Sequence, residues 1–225
     1  MELTLEQNEC AVTEFPADWS VEGLGTFVEI TSGESPSRFE LQASGIPYFK
    51  VEQLGNSTKY LGTDDTPYFF DRGPVVPSGS IVFAKRGAAI ALNRVRIVRH
   101  DSFMDTNLMS LTPSDRLHGE YLFYALTFIG LWQFADTTSV PQINNKHIYP
   151  LQIPLPPTLD EQRAIAGALS DVDALLGVLD RMLTKKRDLK QAAMQQLLTG
   201  QTPYPDSKEN GRRRRLEKSA RRTVA

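Results

Sequence analysis

The chain has 225 residues, 40% of them hydrophobic, a formal net charge of −2 and one cysteine. Such a length and apolar content exclude a disordered chain and allow one sizeable core plus an appendage. The lone Cys10 excludes an internal disulfide and suits a reducing cytoplasm, and no apolar run reaches the length of a membrane span. The start, Met1-Glu2-Leu3-Thr4-Leu5-Glu6, is acidic and unlike a signal peptide. Charge is unevenly spread. Residues 1–157 hold 11 Lys+Arg against 18 Asp+Glu, residues 158–200 hold 6 against 6, and residues 201–225 hold 8 against 3. Within the acidic first part, Arg72, Lys85, Arg86, Arg94, Arg96 and Arg99 follow one another with no Asp or Glu from Arg72 to Arg99. A polyanion responds to that local charge rather than to the mean.

In chain order, the first fifteen residues form a lead-in with little pattern. Phe15-Pro16-Ala17-Asp18-Trp19 leads through Leu24-Gly25 to a predicted strand at Thr26–Ile30. Residues 31–37 are a loop by composition, and Gly45–Val51 reads as a short strand entered through a turn. Two apolar runs then flank Lys85-Arg86-Gly87, the second continuing from Ala88 through Arg99. There Val95 and Ile97 alternate with Arg94 and Arg96, which predicts a hairpin with a basic tip, one buried face and one arginine face. Asn107–Leu111 is a candidate strand, and Gly119–Phe134 reads as a mostly buried helix. A polar loop covers Asp136 to Lys146, and a last strand ends in Ile153-Pro154-Leu155-Pro156-Pro157. Short strands with one or two helices make an α+β domain over residues 1–157.

The element that organises the rest begins at Thr158. Thr158-Leu159-Asp160-Glu161 is a capping box, and the prolines before it stop any helix from extending upstream. Ile165, Leu169, Val172, Leu176, Leu179 and Leu183 then recur at spacings of four and three, an unbroken heptad seam. A second stripe, Ala168, Leu175, Val178, Met182 and Leu189, widens the apolar face. Gly200 ends the helix, and Pro203 and Pro205 keep it ended. A helix over 158–200 is roughly 60 Å long. Globular helices usually run about 8–20 residues, so a rod that pairs with another helix is the reading favoured over an ordinary core helix. With no second heptad run in the chain, its partner is expected on another copy. The tail 201–225, with Arg212 to Arg215, Lys218, Arg221 and Arg222, reads as disordered and basic.

Two segments carry DNA-binding chemistry. Lys85 and Arg86 at a hairpin tip can enter a groove or clamp phosphates, with Arg94 and Arg96 on the strand's exposed face. Thr138, Ser139, Gln142 and Asn144 offer hydroxyls and amides for base edges, and Lys146 an ammonium for phosphate. The alternatives are a solvated hairpin and an ordinary polar loop. Catalytic signals are weak. Asp65-Thr66-Pro67-Tyr68-Phe69 is similar to the Asp/Asn-Pro-Pro-Tyr/Phe signature of amino-methyltransferases, but the first proline is missing and no Gly-rich cofactor loop accompanies it. His100, His118 and His147 are scattered and read as surface or packing residues, so no metal site and no catalytic residue is expected.

Several of these stretches together resemble the DNA-specificity subunit of Type I restriction–modification systems. They are Ile153-Pro154-Leu155-Pro156-Pro157, Glu161-Gln162, Ser170-Asp171-Val172-Asp173-Ala174 and Met194-Gln195-Gln196-Leu197-Leu198-Thr199-Gly200. Phe15-Pro16-x-x-Trp19…Leu24-Gly25 looks like the opening of that family's target-recognition domain, and Thr138–Asn144 like its closing loop. The resemblance implies a non-catalytic cytoplasmic protein that binds a bipartite site in double-stranded DNA. It also implies modification subunits docked on it, which carry S-adenosylmethionine, and allows a restriction subunit as a further partner. The chain itself is expected to bind no cofactor. Family members usually hold two target-recognition domains separated by two antiparallel helices, whereas one domain and one helix are present here. The expectation is therefore a half-subunit acting as a homodimer. The alternatives are a truncated, silent specificity fragment and a coiled-coil adaptor without DNA recognition.

Overall fold

A computed structural model describes residues 15–38, 42–71, 73–136 and 140–201. Thr138, Ser139, Arg72, Cys10 and the basic tail beyond Gln201 lie outside the described residues. Strands β1 (Ser20–Gly23), β2 (Val28–Ser32), β3 (Ile46–Phe49), β4 (Tyr60–Leu61) and β5 (Phe69–Phe70) come first. They are followed by β6 (Ile81–Ala84), β7 (Arg96–Val98), β8 (Phe103–Met104) and β9 (Leu108–Pro113). Helices α1 (Gly119–Ile129) and α2 (Asn145–Ile148), strand β10 (Gln152–Leu155) and helix α3 (Leu159–Leu198) complete the chain order. No helix among the described residues is long and apolar enough to cross a membrane.

The central sheet has the order β2-β9-β6-β7-β4, antiparallel except for the parallel β7–β4 pair. All four residues of β6 are buried because the sheet is covered on both faces. Ile81, Phe83, Ile97, Met109 and Leu111 face one cluster, which includes Leu122, Phe123 and Leu126 of α1. Val82, Ala84, Val98 and Leu108 face a second cluster with Phe49, Leu54, Leu61 and Met104. The period of two along β6 thus serves two cores instead of one core and solvent. A smaller sheet, β5-β3-β8, packs Tyr48, Phe70 and Phe103 together. The first and last strands of the domain, β1 and β10, pair antiparallel. Leu24 and Gly25 dock beside them: Leu24 is fully buried, and a Cβ on Gly25 would lie 2.5 Å from Tyr149 Cδ1. Only glycine fits that approach.

The expected elements recur with three corrections. Strands β2, β3, β9 and β10 stand within a few residues of their predicted places. The second arm of the hairpin, however, does not begin at Ala88. Ala88–Leu92 is a 3-10 turn, and the strand is only Arg96–Val98. No continuous arginine face forms, because Val98 is buried on the side that Arg96 shares. The predicted helix Gly119–Phe134 stops at Ile129, where Gly130 adopts φ 77° and the chain restarts as a 3-10 turn, Leu131–Phe134. That left-handed residue satisfies the helix end by donating its amide to the Leu126 carbonyl.

Helix α3 spans its predicted length, and Thr158 Oγ1 accepts from the Glu161 amide at 3.2 Å. The return half of the capping box is replaced, since Glu161 Oε1 accepts the Trp19 indole N–H at 3.0 Å. Packing divides the chain inside α3, into Met1–Leu169 and Ser170–Ala225. Within the first unit Gln162 and Ala166 are buried, and Ile165 packs against the large core cluster. From Leu169 on, the seam residues Leu169, Val172, Leu176, Leu179 and Leu183 are between 41% and 54% exposed. Of the six seam positions, Ile165 is thus taken by the domain and five face solvent.

Candidate nucleic-acid interface

Lys85 and Arg86 leave the sheet at the end of β6 and meet the polar loop before α2. Ile143 donates its amide to the Lys85 carbonyl at 2.8 Å, and Gly87 donates to the Pro141 carbonyl at 2.8 Å. An antiparallel bridge sets Arg86 opposite Gln142. The two segments read separately in the sequence are therefore one edge, joined backbone to backbone. Ile143, fully buried in the core, anchors the loop from beneath. On the other side Asp136 and Gln142 exchange both backbone hydrogen bonds at 2.9 Å.

Side chains continue the linkage. Arg86 Nη2 reaches Gln142 Oε1 at 3.4 Å, and Gln142 Nε2 donates to Asn144 Oδ1 at 2.8 Å. The backbone N–H of Asn144 donates to His147 Nδ1 at 3.1 Å. The guanidinium and two carboxamides thus form one chain of directional contacts along the edge, and the imidazole is tied to the Asn144 backbone. A guanidinium has five N–H donors and a carboxamide two, so Arg86 and Asn144 have donors beyond those used here. This is the chemistry that reads guanine and adenine edges. His147 was not among the predicted site residues, although Asn144-x-x-His147 has the spacing of a helix cap, a signal visible in the sequence. Asp136 carries no comparable signal, because its tie to Gln142 is made by backbone groups that any residue has.

Lys85 is half-buried, and its Nζ donates to Ser32 Oγ of β2 at 2.8 Å. Burial, then the neighbouring Arg86 charge, lower its pKa from the ordinary lysine value, with Asp105 offsetting part of that. Two cations held beside each other in this way favour an arriving anion. Lys146 is exposed on the first turn of α2. Arg94 is exposed too, its guanidinium close to Gly55. Arg96 is elsewhere in role: it donates to the Ser57 and Val95 carbonyls at 2.8 and 2.6 Å, and burial lowers its pKa. Neither Arg94, beside Gly55, nor Arg96, which donates to the fold's own carbonyls, joins the hydrogen-bonded edge of Arg86 and Gln142.

Asp65-Thr66-Pro67-Tyr68-Phe69 also serves the fold. Asp65 Oδ2 accepts the Gly62 amide at 2.7 Å, Thr66 Oγ1 donates to the Tyr48 carbonyl at 2.6 Å, and Phe69 belongs to β5. Among the described residues no group of His, Cys, Asp or Glu is arranged to hold a metal ion.

A family model described as the Type I restriction modification DNA specificity domain matches residues 16–183. The Type I restriction enzyme MjaVIII specificity subunit of Methanocaldococcus jannaschii is 26% identical over 196 residues, covering 82% of this chain and 43% of that protein. The putative MjaX specificity subunit of the same organism is 26% identical over 201 residues, covering 84% and 47%. Among solved structures, a chain from work on complex assembly and conformational transition of the type I R-M system aligns with TM-score 0.69 and 21% identity, covering 83% of this chain and 47% of that one. The HsdS subunit from Thermoanaerobacter tengcongensis aligns with TM-score 0.63 and 22% identity over 83% and 46%. The chain spans about half the length of the curated relatives it matches.

Proposed function

Since the chain belongs to the Type I restriction–modification DNA-specificity family, we propose that it reads one half of a bipartite double-stranded DNA site. The observation that supports this most is the joined edge of Arg86, Gln142 and Asn144, where a guanidinium and two carboxamides are held in one line by hydrogen bonds. Lys85 and Lys146 supply phosphate contacts around it, and Thr138 and Ser139 belong to the same loop in sequence.

The chain carries specificity, and the reaction belongs to its partners. Modification subunits holding S-adenosylmethionine dock on the specificity protein and methylate the site it selects, with a restriction subunit joining for cleavage. Two copies pair through antiparallel α3 helices, a reading supported by the five exposed apolar seam residues from Leu169 to Leu183. A two-fold dimer presents the same edge twice, so its target is an inverted repeat with an unread spacer.

The test is selection of bound sequences from a randomised duplex DNA pool by the full chain with its modification subunit. The expected outcome is an inverted repeat split by a spacer of constant length. A single undivided or asymmetric motif overturns the dimer reading. Retention of DNA without any enriched sequence favours a silent fragment, and no retention at all an adaptor.

A further inference from the structure

The two residues that open the apolar rod reach back out of it. Gln162 is 2% exposed, and its carboxamide oxygen and both of its N–H groups are bonded. Its Oε1 accepts the His118 amide at 2.7 Å, and its Nε2 donates to the Arg116 and Pro156 carbonyls at 3.3 Å each. Those partners precede α1 in one case and follow β10 in the other, so one side chain ties three segments together. Beside it, Glu161 Oε1 holds the Trp19 indole from the approach to β1. One turn on, Ala166 is 1% exposed, and Ile165 packs on the core.

A helix held by apolar packing alone can turn or slide, because dispersion is non-directional. Hydrogen bonds add direction. A buried carboxamide that satisfies one amide and two carbonyls cannot rotate without leaving all of them unpaired in a dry site. The first turn of α3 is therefore locked in phase with the domain, and Ala166 leaves no bulk to hold it off.

We infer that Gln162, supported by Trp19 and Glu161, is a positioning residue that restricts this protein to a single DNA spacer length. The inference rests on the proposed dimer reading of a split site. Each added base pair moves the second half-site by about 3.4 Å and turns it by about 35°. A domain locked to its helix cannot follow that turn, so a spacer one base pair too long or short is rejected. Loosening the lock lets each domain swing and accept neighbouring spacers, while the reading edge at Arg86 and Gln142 still recognises its half-site. The ratio of affinities between spacers thus reports the lock. A general loss of stability would lower all affinities together and leave the ratio unchanged.

The experiment uses the full chain with its modification subunit and duplexes carrying the half-sites selected from the randomised pool, with the spacer at its selected length or one base pair shorter or longer. The native protein is expected to prefer its own spacer by about tenfold or more, in the range of a single mismatched base pair. Gln162→Met, which keeps the volume and removes every hydrogen bond, should cut that preference to about threefold or less. Trp19→Phe removes only the indole bond and should move the ratio in the same direction, so it carries the test if Gln162→Met fails to fold. Arg163→Ala, on the exposed side of the same turn, should leave the ratio at the native value. Native spacer discrimination that survives intact in Trp19→Phe, and in Gln162→Met where it folds, overturns the inference and leaves the split-site reading standing. Failure of the native protein to select any split site overturns both.

Discussion

At the scale of single residues, the edge that links Arg86 to Gln142 makes its members separable by measurement. Lys85→Ala removes a cation beside the edge, so it should weaken binding to cognate and scrambled duplexes alike and lower the salt slope by about one unit. Gln142→Ala should cost about 1–3 kcal/mol on the cognate site and little elsewhere. Because Arg86 Nη2 touches Gln142 Oε1, the pair should also be non-additive, with a coupling of about 0.5 kcal/mol or more in a double-mutant cycle. A salt titration on both duplexes checks this, and equal losses on both for Gln142→Ala would place it off the reading edge. A second residue-scale prediction concerns Glu120 at the start of α1. Its carboxylate accepts from Lys59 Nζ at 2.9 Å and from the Tyr60 hydroxyl, tying α1 to β4. Burial opposes the charged form, but the bonds from Tyr60 and Lys59 outweigh it and hold the Glu120 pKa below the ordinary carboxylate value. A lowered carboxylate pKa stabilises the fold above the unfolded value, about 4.3, and that contribution is lost as pH falls through the folded value. Lys59 is raised, with burial opposed and outweighed by its bonds to Glu120 and Tyr124, so its share is intact below about 10.4 and lost as pH rises beyond. Glu120→Gln should therefore lower Tm at neutral pH by an amount worth about 1–2 kcal/mol. The gap to the native protein should close below about pH 4. A gap that stays constant down to pH 3 would show that the charge contributes nothing.

At the scale of elements, α3 works as two parts. Its first three turns belong to the domain through Gln162, Ile165 and Ala166, and the remainder carries an apolar seam exposed along its length. Five large apolar residues in heptad register cost little in an isolated helix but drive pairing when a second seam is at hand. Leu176, 53% exposed, lies in the middle of that seam. Leu176→Asp would bury a charge at each crossing, at a cost comparable to the 2–5 kcal/mol of a core deletion or more. Light scattering at micromolar concentration should give a dimer for the native chain and a monomer for the variant, with both equally helical by circular dichroism. A native chain that is monomeric both alone and with its modification subunit removes the basis for pairing through α3.

At the scale of the whole molecule, the proposed pairing of two copies would make the rod set how far apart two reading edges stand. Deleting one heptad, Asp173 to Leu179, keeps the seam in register and shortens the rod by about 10 Å. The selected spacer should shorten by about three base pairs while the half-sites stay the same. An unchanged spacer would mean that α3 is not the ruler. The sequence by itself determined what depends on neighbours along the chain. The length of α3 from Thr158 to Gly200, the heptad seam, the strands β2, β6 and β9 and the family resemblance all rest on periodicity and caps, which are local properties. It also pointed to Lys85, Arg86, Gln142 and Asn144, each by its own chemistry. Tertiary structure alone decided that these residues share one edge, because Arg86 and Gln142 lie 56 residues apart and meet only through backbone pairing over the buried Ile143. It alone withdrew Arg96 into the fold and Ile165 into the core, and cut the second arm of the hairpin to Arg96–Val98. A period of two shows which side chains share a face, but what covers that face depends on distant segments. Here both faces of the central sheet are covered, so β7 has no arginine face: Val98 is buried and Arg96 bonds the Ser57 and Val95 carbonyls.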